Sequence, residues 1–278
     1  MTKLNGKVVA ITGAASGIGR ALALEAVIRG AHVALADLNS EGLAETAALT
    51  EGHGVKVSTQ QLDVADRDAV LAWADAAAEE HGSVNVIINN AGVALGASAA
   101  DQEVGDVEWV MDINFWGVVH GTQAFLPHLR ESGDGHIVNI SSVFGLFSVP
   151  TQSAYNASKF AVRGYTDALR MELEIEDSGV SATTVHPGGI KTSIARNARI
   201  DQSIDIGGSD PGEFGDEFDK LAMTDPEKAA RQILNSVERN RRRALIGPDA
   251  KWFDLMSRLP AGLYQRFFIW QARRRRGA

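Results

Sequence analysis

Val8-Val9-Ala10-Ile11-Thr12 runs directly into Gly13-Ala14-Ala15-Ser16-Gly17-Ile18-Gly19, after which residues 20–29 space their apolar side chains with a helical period. Small and β-branched residues in a row fit a buried strand. Glycines behind it let the backbone turn tightly and approach a ligand closely, and the helix that follows points its free N–H groups at the same place. Similar short β-branched runs recur at 31–36, 55–61, 84–89, 136–141, 180–186 and 244–246, with Ala-, Leu- and Glu-rich stretches such as 66–81 between them. Strand and helix alternating at this spacing predict right-handed βαβ units. The expected fold is α/β: one doubly wound, parallel, seven-stranded sheet with helices on both faces.

Composition narrows the class. At 278 residues and 45% hydrophobic, the chain can bury the core of one large domain. It has no cysteine, which excludes disulfides, thiolate catalysis and zinc–thiolate sites and agrees with a reducing compartment. No stretch approaches the ~20 uninterrupted apolar residues of a spanning helix. The first strand-like run begins too early for a cleavable signal segment, so a soluble, cytoplasmic protein is expected. The net charge of −8 is uneven: residues 239–278 hold 11 Lys and Arg against Asp249 and Asp254, leaving 16 basic and 33 acidic residues for the rest. An acidic body disfavours nucleic acid, whereas the basic tail suits an anionic surface.

Two further features point to chemistry. Asp37 ends the second strand, 18 residues after Gly19. A carboxylate there can accept hydrogen bonds from adenosine ribose hydroxyls and repels a 2′-phosphate, so NAD is favoured over NADP. Tyr155 and Lys159 stand four apart in Ser153-Ala154-Tyr155-Asn156-Ala157-Ser158-Lys159-Phe160, which places phenol and ammonium on one helix face. A nearby cation is expected to pull the phenol down from its ordinary pKa of about 10 toward the working range.

With Thr12–Gly19, Asp63-Val64, Asn89-Asn90-Ala91-Gly92, Asn114, Ser142, Tyr155-x-x-x-Lys159 and Pro187-Gly188-Gly189-Ile190-Lys191-Thr192 in this order, the chain resembles the short-chain dehydrogenase/reductase superfamily. The likeness covers about residues 5–250 and belongs to the group with a T-G-x-x-x-G-x-G cofactor turn. It implies a single-domain Rossmann fold that binds NAD through Gly13, Ser16, Gly17, Ile18, Gly19 and Asp37. It sets Asp63 and Val64 against the adenine, Asn90, Ala91 and Gly92 beside the adenosine, and Ile190 and Thr192 against the nicotinamide carboxamide, with Pro187 and Gly188 also binding the cofactor. It implies Asn114, Ser142, Tyr155 and Lys159 as the catalytic set: Tyr155 exchanges the alcohol proton, Ser142 holds the substrate oxygen, Lys159 tunes the phenol and bonds the nicotinamide ribose, and Asn114 holds a water. The family spacing selects Ser142 over Ser141, and His186 matches no catalytic position.

The expected activity is hydride transfer between NAD and a secondary alcohol or ketone. Val143–Pro150 and Val93–Leu95 predict an apolar pocket; Arg196 and Arg199 leave room for an acidic substrate. An NADPH-dependent 3-oxoacyl reductase is the nearer alternative, and a noncatalytic NAD-binding protein on the same fold the more distant one. Residues 193–224 read as a substrate lid within a catalytic domain of residues 1–250. The 251–278 extension repeats Trp252, Leu255, Met256, Leu259, Leu263, Phe267 and Trp270 at helical spacing and ends on Arg273–Arg276. Pro260 and Gly262 predict two short helices there. This stripe is expected to be buried, against another subunit of a homo-oligomer (a tetramer or dimer) in preference to lipid.

Overall fold

In the computed structural model, which describes residues 3–201 and 222–276, the strands are β1 (Val8–Thr12), β2 (His32–Asp37), β3 (Val57–Gln61), β4 (Val86–Asn89), β5 (Leu95–Gly96), β6 (His136–Ile140), β7 (Ser181–Pro187), β8 (Arg199–Ile200) and β9 (Arg243–Ile246). Seven of them form one sheet in the order β3-β2-β1-β4-β6-β7-β9, with every pairing parallel. The helices are α1 (Gly17–Ile28), α2 (Ser40–Leu49), α3 (Arg67–His81), α4 (Val104–Met111), α5 (Gly117–Ser132), α6 (Ser153–Ile175), α7 (Pro226–Glu238), α8 (Pro248–Ser257) and α9 (Ala261–Arg276).

The strand period of two sorts the core into two layers. Val9, Ile11, Val33, Leu35 and Ile88 point to one face, where α1 and α7 add Leu22, Val27, Ile233 and Leu234. Val8, Ala10, Ala34 and Ile87 point to the other, where α3, α5 and α6 add Trp73, Phe125, Leu129 and Leu173. Each fully buried Leu or Phe contributes about 1.5–3 kcal/mol relative to its exposed state. Local sequence sets the helix ends: the Asp66 carboxylate accepts from the N–H groups of Asp68 and Ala69 at 3.1 Å, and Gly82, at φ +81°, stops α3.

Strand order reverses between β1 and β4, and the ends of those strands are tied together. Thr12 Oγ1 accepts from the N–H groups of Asn90 and Ala91 at 3.0 and 3.1 Å. The Asn90 amide donates back to the carbonyls of Thr12 and Gly13. A buried polar chain then fixes α6 to the sheet: Asn89 Nδ2 donates to Asn139 Oδ1 at 2.8 Å, and Asn139 Nδ2 to Thr166 Oγ1 at 2.9 Å. These bonds hold one helix in register with the crevice outside the strand ends, which is where ligands sit in such sheets.

Two regions differ from the sequence reading or add to it. Most of the expected lid, residues 202–221, lies outside the described residues; its entry strand β8 pairs with β5 beside the fourth-strand loop. The tail does split at Pro260, into α8 and α9. Its outward stripe is not buried within the chain, however: Trp252, Leu255, Leu259, Leu263, Phe267 and Trp270 are exposed. The inward face is instead Phe253, Tyr264 and Phe268, gathered around Phe147 at ring separations of 4.6, 6.1 and 6.0 Å. Among the described residues no helix is long and apolar enough to cross a membrane.

Candidate active site

A cleft of about 700 Å³ opens at the β1/β4 switch point. Of the residues expected at the site, Gly13, Ser16, Gly17, Ile18, Asp37, Asp63, Val64, Asn90, Ala91, Gly92, Ser142, Tyr155, Lys159, Pro187, Gly188, Ile190 and Thr192 line it. Gly19 and Asn114 stand behind the wall.

At the glycine turn the need for glycine is steric. Gly13 has φ +68°, and a Cβ on it would meet Ala91 Cα at 2.8 Å; a Cβ on Gly19 would lie 1.9 Å from the Gly13 carbonyl oxygen. The turn thus presents bare backbone to the cleft, followed by the N-terminus of α1. Asp37 closes this end. One of its carboxylate oxygens accepts from Ala15 N–H and the other from Asn39 N–H, both at 2.9 Å, and each keeps a lone pair for a ribose hydroxyl. Arg20, next to the turn, is held elsewhere by Ala15 O, Gly42 O, Thr46 and Glu45. Among the described lining residues Lys159 is the one cation, against Asp37, Asp63 and Asp249. Backbone cradle, helix terminus and carboxylate together fit a dinucleotide.

The catalytic end is built on α6 and the turn after β6. Ser142 caps that turn by accepting from Phe144 N–H at 3.1 Å, and it lines the same end of the cleft as Tyr155. Lys159 lies 5.6 Å from the Tyr155 ring centre and donates to the Ile140 carbonyl at 3.2 Å. Burial pushes Tyr155 up to about 12, opposed by the neighbouring Ser142 hydroxyl, and pushes Lys159 down to about 8. In the protein by itself, desolvation of the phenol sets the direction of its shift, opposite to the downward pull expected from the neighbouring cation.

Asn114 occupies a π-helical turn (Asp112–Trp116) between α4 and α5. Its amide donates to Val93 O at 2.9 Å and Ser158 Oγ at 3.1 Å, while its oxygen accepts from Val93 N–H at 2.8 Å. The bend and the amide together fix the Gly92–Val93 wall: a Cβ on Gly92 would approach Asn114 Oδ1 to 3.0 Å and Lys159 Nζ to 3.4 Å. Ser141 turns away and donates to Lys159 O at 2.8 Å. His186 Nδ1 donates to the Ser142 carbonyl at 2.8 Å, and burial lowers its pKa to about 4, so it is a neutral brace beneath the serine. Neither Arg196 nor Arg199 lines the cleft, and Arg199 pairs with Asp106 at 2.7 Å over the Trp109 ring.

Sequence reasoning missed Asp249. It lies in the first turn of α8, and its carboxylate accepts from Gly189 N–H at 2.6 Å, bracing the 187–192 turn from below. A Cβ on Gly188 would come within 2.1 Å of the same carboxylate, and one on Gly247 within 2.5 Å. The clue was present as three glycines around one acid, but nothing in their spacing says that they meet. Phe253, also on α8, closes the cleft beyond Val143 and Phe144.

Comparison with known proteins agrees with this geometry. The short chain dehydrogenase family model matches residues 7–203. SadH of Mycobacterium tuberculosis is 49% identical over 279 residues, covering 97% of this chain and 99% of that one. A short chain dehydrogenase/reductase from Burkholderia phymatum, solved in complex with NAD, is 31% identical with a TM-score of 0.83, covering 93% of this chain and 94% of that one. A short chain dehydrogenase from Mycobacterium paratuberculosis bound to NAD is 27% identical with a TM-score of 0.73, covering 87% and 97%. This chain belongs to the short-chain dehydrogenase/reductase family of oxidoreductases.

Proposed function

We propose that the protein interconverts a secondary alcohol and its ketone on a hydrophobic skeleton, using NAD. The observation that carries this reading is the meeting of Ser142, Tyr155 and Lys159 in an otherwise apolar part of the cleft, walled by Val93, Ala94, Val143, Phe144 and Phe253. The nicotinamide would supply the hydride acceptor or donor. The 13–18 turn would hold the pyrophosphate, Asp37 the adenosine ribose, Asp63 and Val64 the adenine, Lys159 the second ribose, and Ile190 and Thr192 the carboxamide.

The chain's own residues handle the proton. Ser142 orients the substrate oxygen and stabilises charge that develops on it. Tyr155 takes the alcohol proton in oxidation and returns it in reduction. Oxidation needs the phenolate, so its rate rises with pH; reduction needs the phenol and falls as pH climbs through the same titration. Lys159 favours the phenolate most when charged, and Asn114 keeps the wall beside its ammonium in place.

For the cofactor, the support is Asp37 at the adenosine end and the engagement of Arg20 away from it. Calorimetric titration should give NAD at least about tenfold tighter binding than NADP, the selectivity a carboxylate at this place confers. Equal affinities, or tighter NADP, would overturn the cofactor assignment. A panel of hydrophobic secondary alcohols assayed with NAD should then yield turnover, and complete inactivity across alcohols and ketones would count against the reaction itself.

A further inference from the structure

The outward face of α9 combines apolar and cationic side chains without an acid. Leu263, Phe267 and Trp270 follow one another at intervals of four and three and are 55%, 48% and 53% exposed. Arg266, Arg273 and Arg274 flank them, all exposed, and Arg274 lies over the Trp270 ring at 4.7 Å. No Asp or Glu occurs after Asp254. The tail's two acids are both spent inside: Asp249 on Gly189 N–H, Asp254 on Arg258 and Arg243. The exposed hairpin is therefore a cationic surface with an aromatic ridge, on a body whose remainder is strongly acidic.

Its occupant can be chosen by charge. In a two-fold contact with a second copy through this face, each patch meets its own kind, and arginines would meet arginines with no acid on either side. Burying such a contact costs desolvation with no compensating pair. A lipid surface with anionic headgroups supplies the missing charge, and the acyl boundary receives the aromatic side chains. Phe253, on the preceding helix, belongs both to the inner face of this hairpin and to the cleft wall.

We propose that α9 seats this protein on anionic membrane surfaces, lying in the interface without crossing it. This placement rests on the tail alone, and its test reads binding instead of turnover. The full chain is co-sedimented with phosphatidylcholine vesicles and with vesicles in which about one-third of the lipid is phosphatidylglycerol. Binding to the anionic vesicles, weak binding to the neutral ones, and release by salt are expected. Substituting Arg266, Arg273 and Arg274 by Gln should lower anionic partitioning on the order of a hundredfold. Phe267→Ser with Trp270→Ser should lower it as well; both positions are solvent-facing, and unchanged NAD affinity would certify the fold of each variant. Failure to bind anionic vesicles overturns the proposal, as does equal binding to both compositions or indifference to these substitutions. A fall in molar mass by light scattering in the variants would assign the face to a second copy and overturn it too.

Discussion

At Gly19 a single added methyl group would sit 1.9 Å from a backbone oxygen, whereas about half of Trp270, a large aromatic residue, stands exposed. The cofactor turn is specified by what must be absent: no Cβ at 13 or 19 and, among the described lining residues, no cation at the Asp37 end. The hairpin formed by α8 and α9 is specified by what is left over. Its inner face, Phe253, Tyr264 and Phe268, gathers around Phe147, and its outer face leaves about half of Trp252, Leu263, Phe267 and Trp270 exposed. A region whose every atom is constrained by the rest of the fold tolerates little change. A region that faces outward tolerates much, and whatever maintains its apolar character acts from outside the folded chain.

Substitutions can break or sharpen this contrast. Gly19→Val should destabilise the protein by about 3 kcal/mol or more, because the clash is with backbone, and should abolish NAD binding. Urea denaturation and cofactor titration check this, and a variant within about 1 kcal/mol of the original would show the turn to be pliable.

Lys159→Met should inactivate the enzyme yet stabilise it at pH 7 by about 2–3 kcal/mol. The sign follows from linkage. Burial lowers the lysine from 10.5 to about 8, so the unfolded chain binds more protons across that window and native stability rises with pH there. Below pH 8 the penalty is present in full, and the advantage of the Met variant should shrink between pH 8 and 10.5. Denaturation curves at several pH values test it; a destabilised variant at neutral pH would contradict the burial penalty.

The smallest effect belongs to the hairpin's outer face. Trp270→Ala should change the stability of the chain in solution by no more than about 0.5 kcal/mol, as measured by chemical denaturation. A loss of about 2 kcal/mol would mean that this side chain is packed in solution after all.

The same contrast explains what the sequence made legible. Glycine motifs, strand alternation and the Tyr155/Lys159 spacing depend on local backbone chemistry, so all seven sheet strands fall within two or three residues of where the pattern sets them. That the Asn114 amide needs partners follows from its being a polar side chain in an apolar stretch; that those partners are Val93 and Ser158 does not. Asp249 and Phe253 reach the cleft only because α8 folds back over the 187–192 turn, a contact across some sixty residues that no local period encodes. The tail's apolar repeat was visible, but its helical period does not say which face turns inward. The inward residues proved to be the aromatics lying between the positions of the expected stripe.

The most direct test is hydride transfer by Tyr155→Phe, followed as NADH absorbance with a substrate that the unmodified enzyme accepts. Removing only the phenolic oxygen should lower kcat by roughly 10³-fold or more while NAD affinity changes less than about threefold, because the loss falls on proton transfer and not on the cradle. Turnover within about tenfold of the original enzyme would show that another group carries the proton and that Tyr155 is not the base of this site.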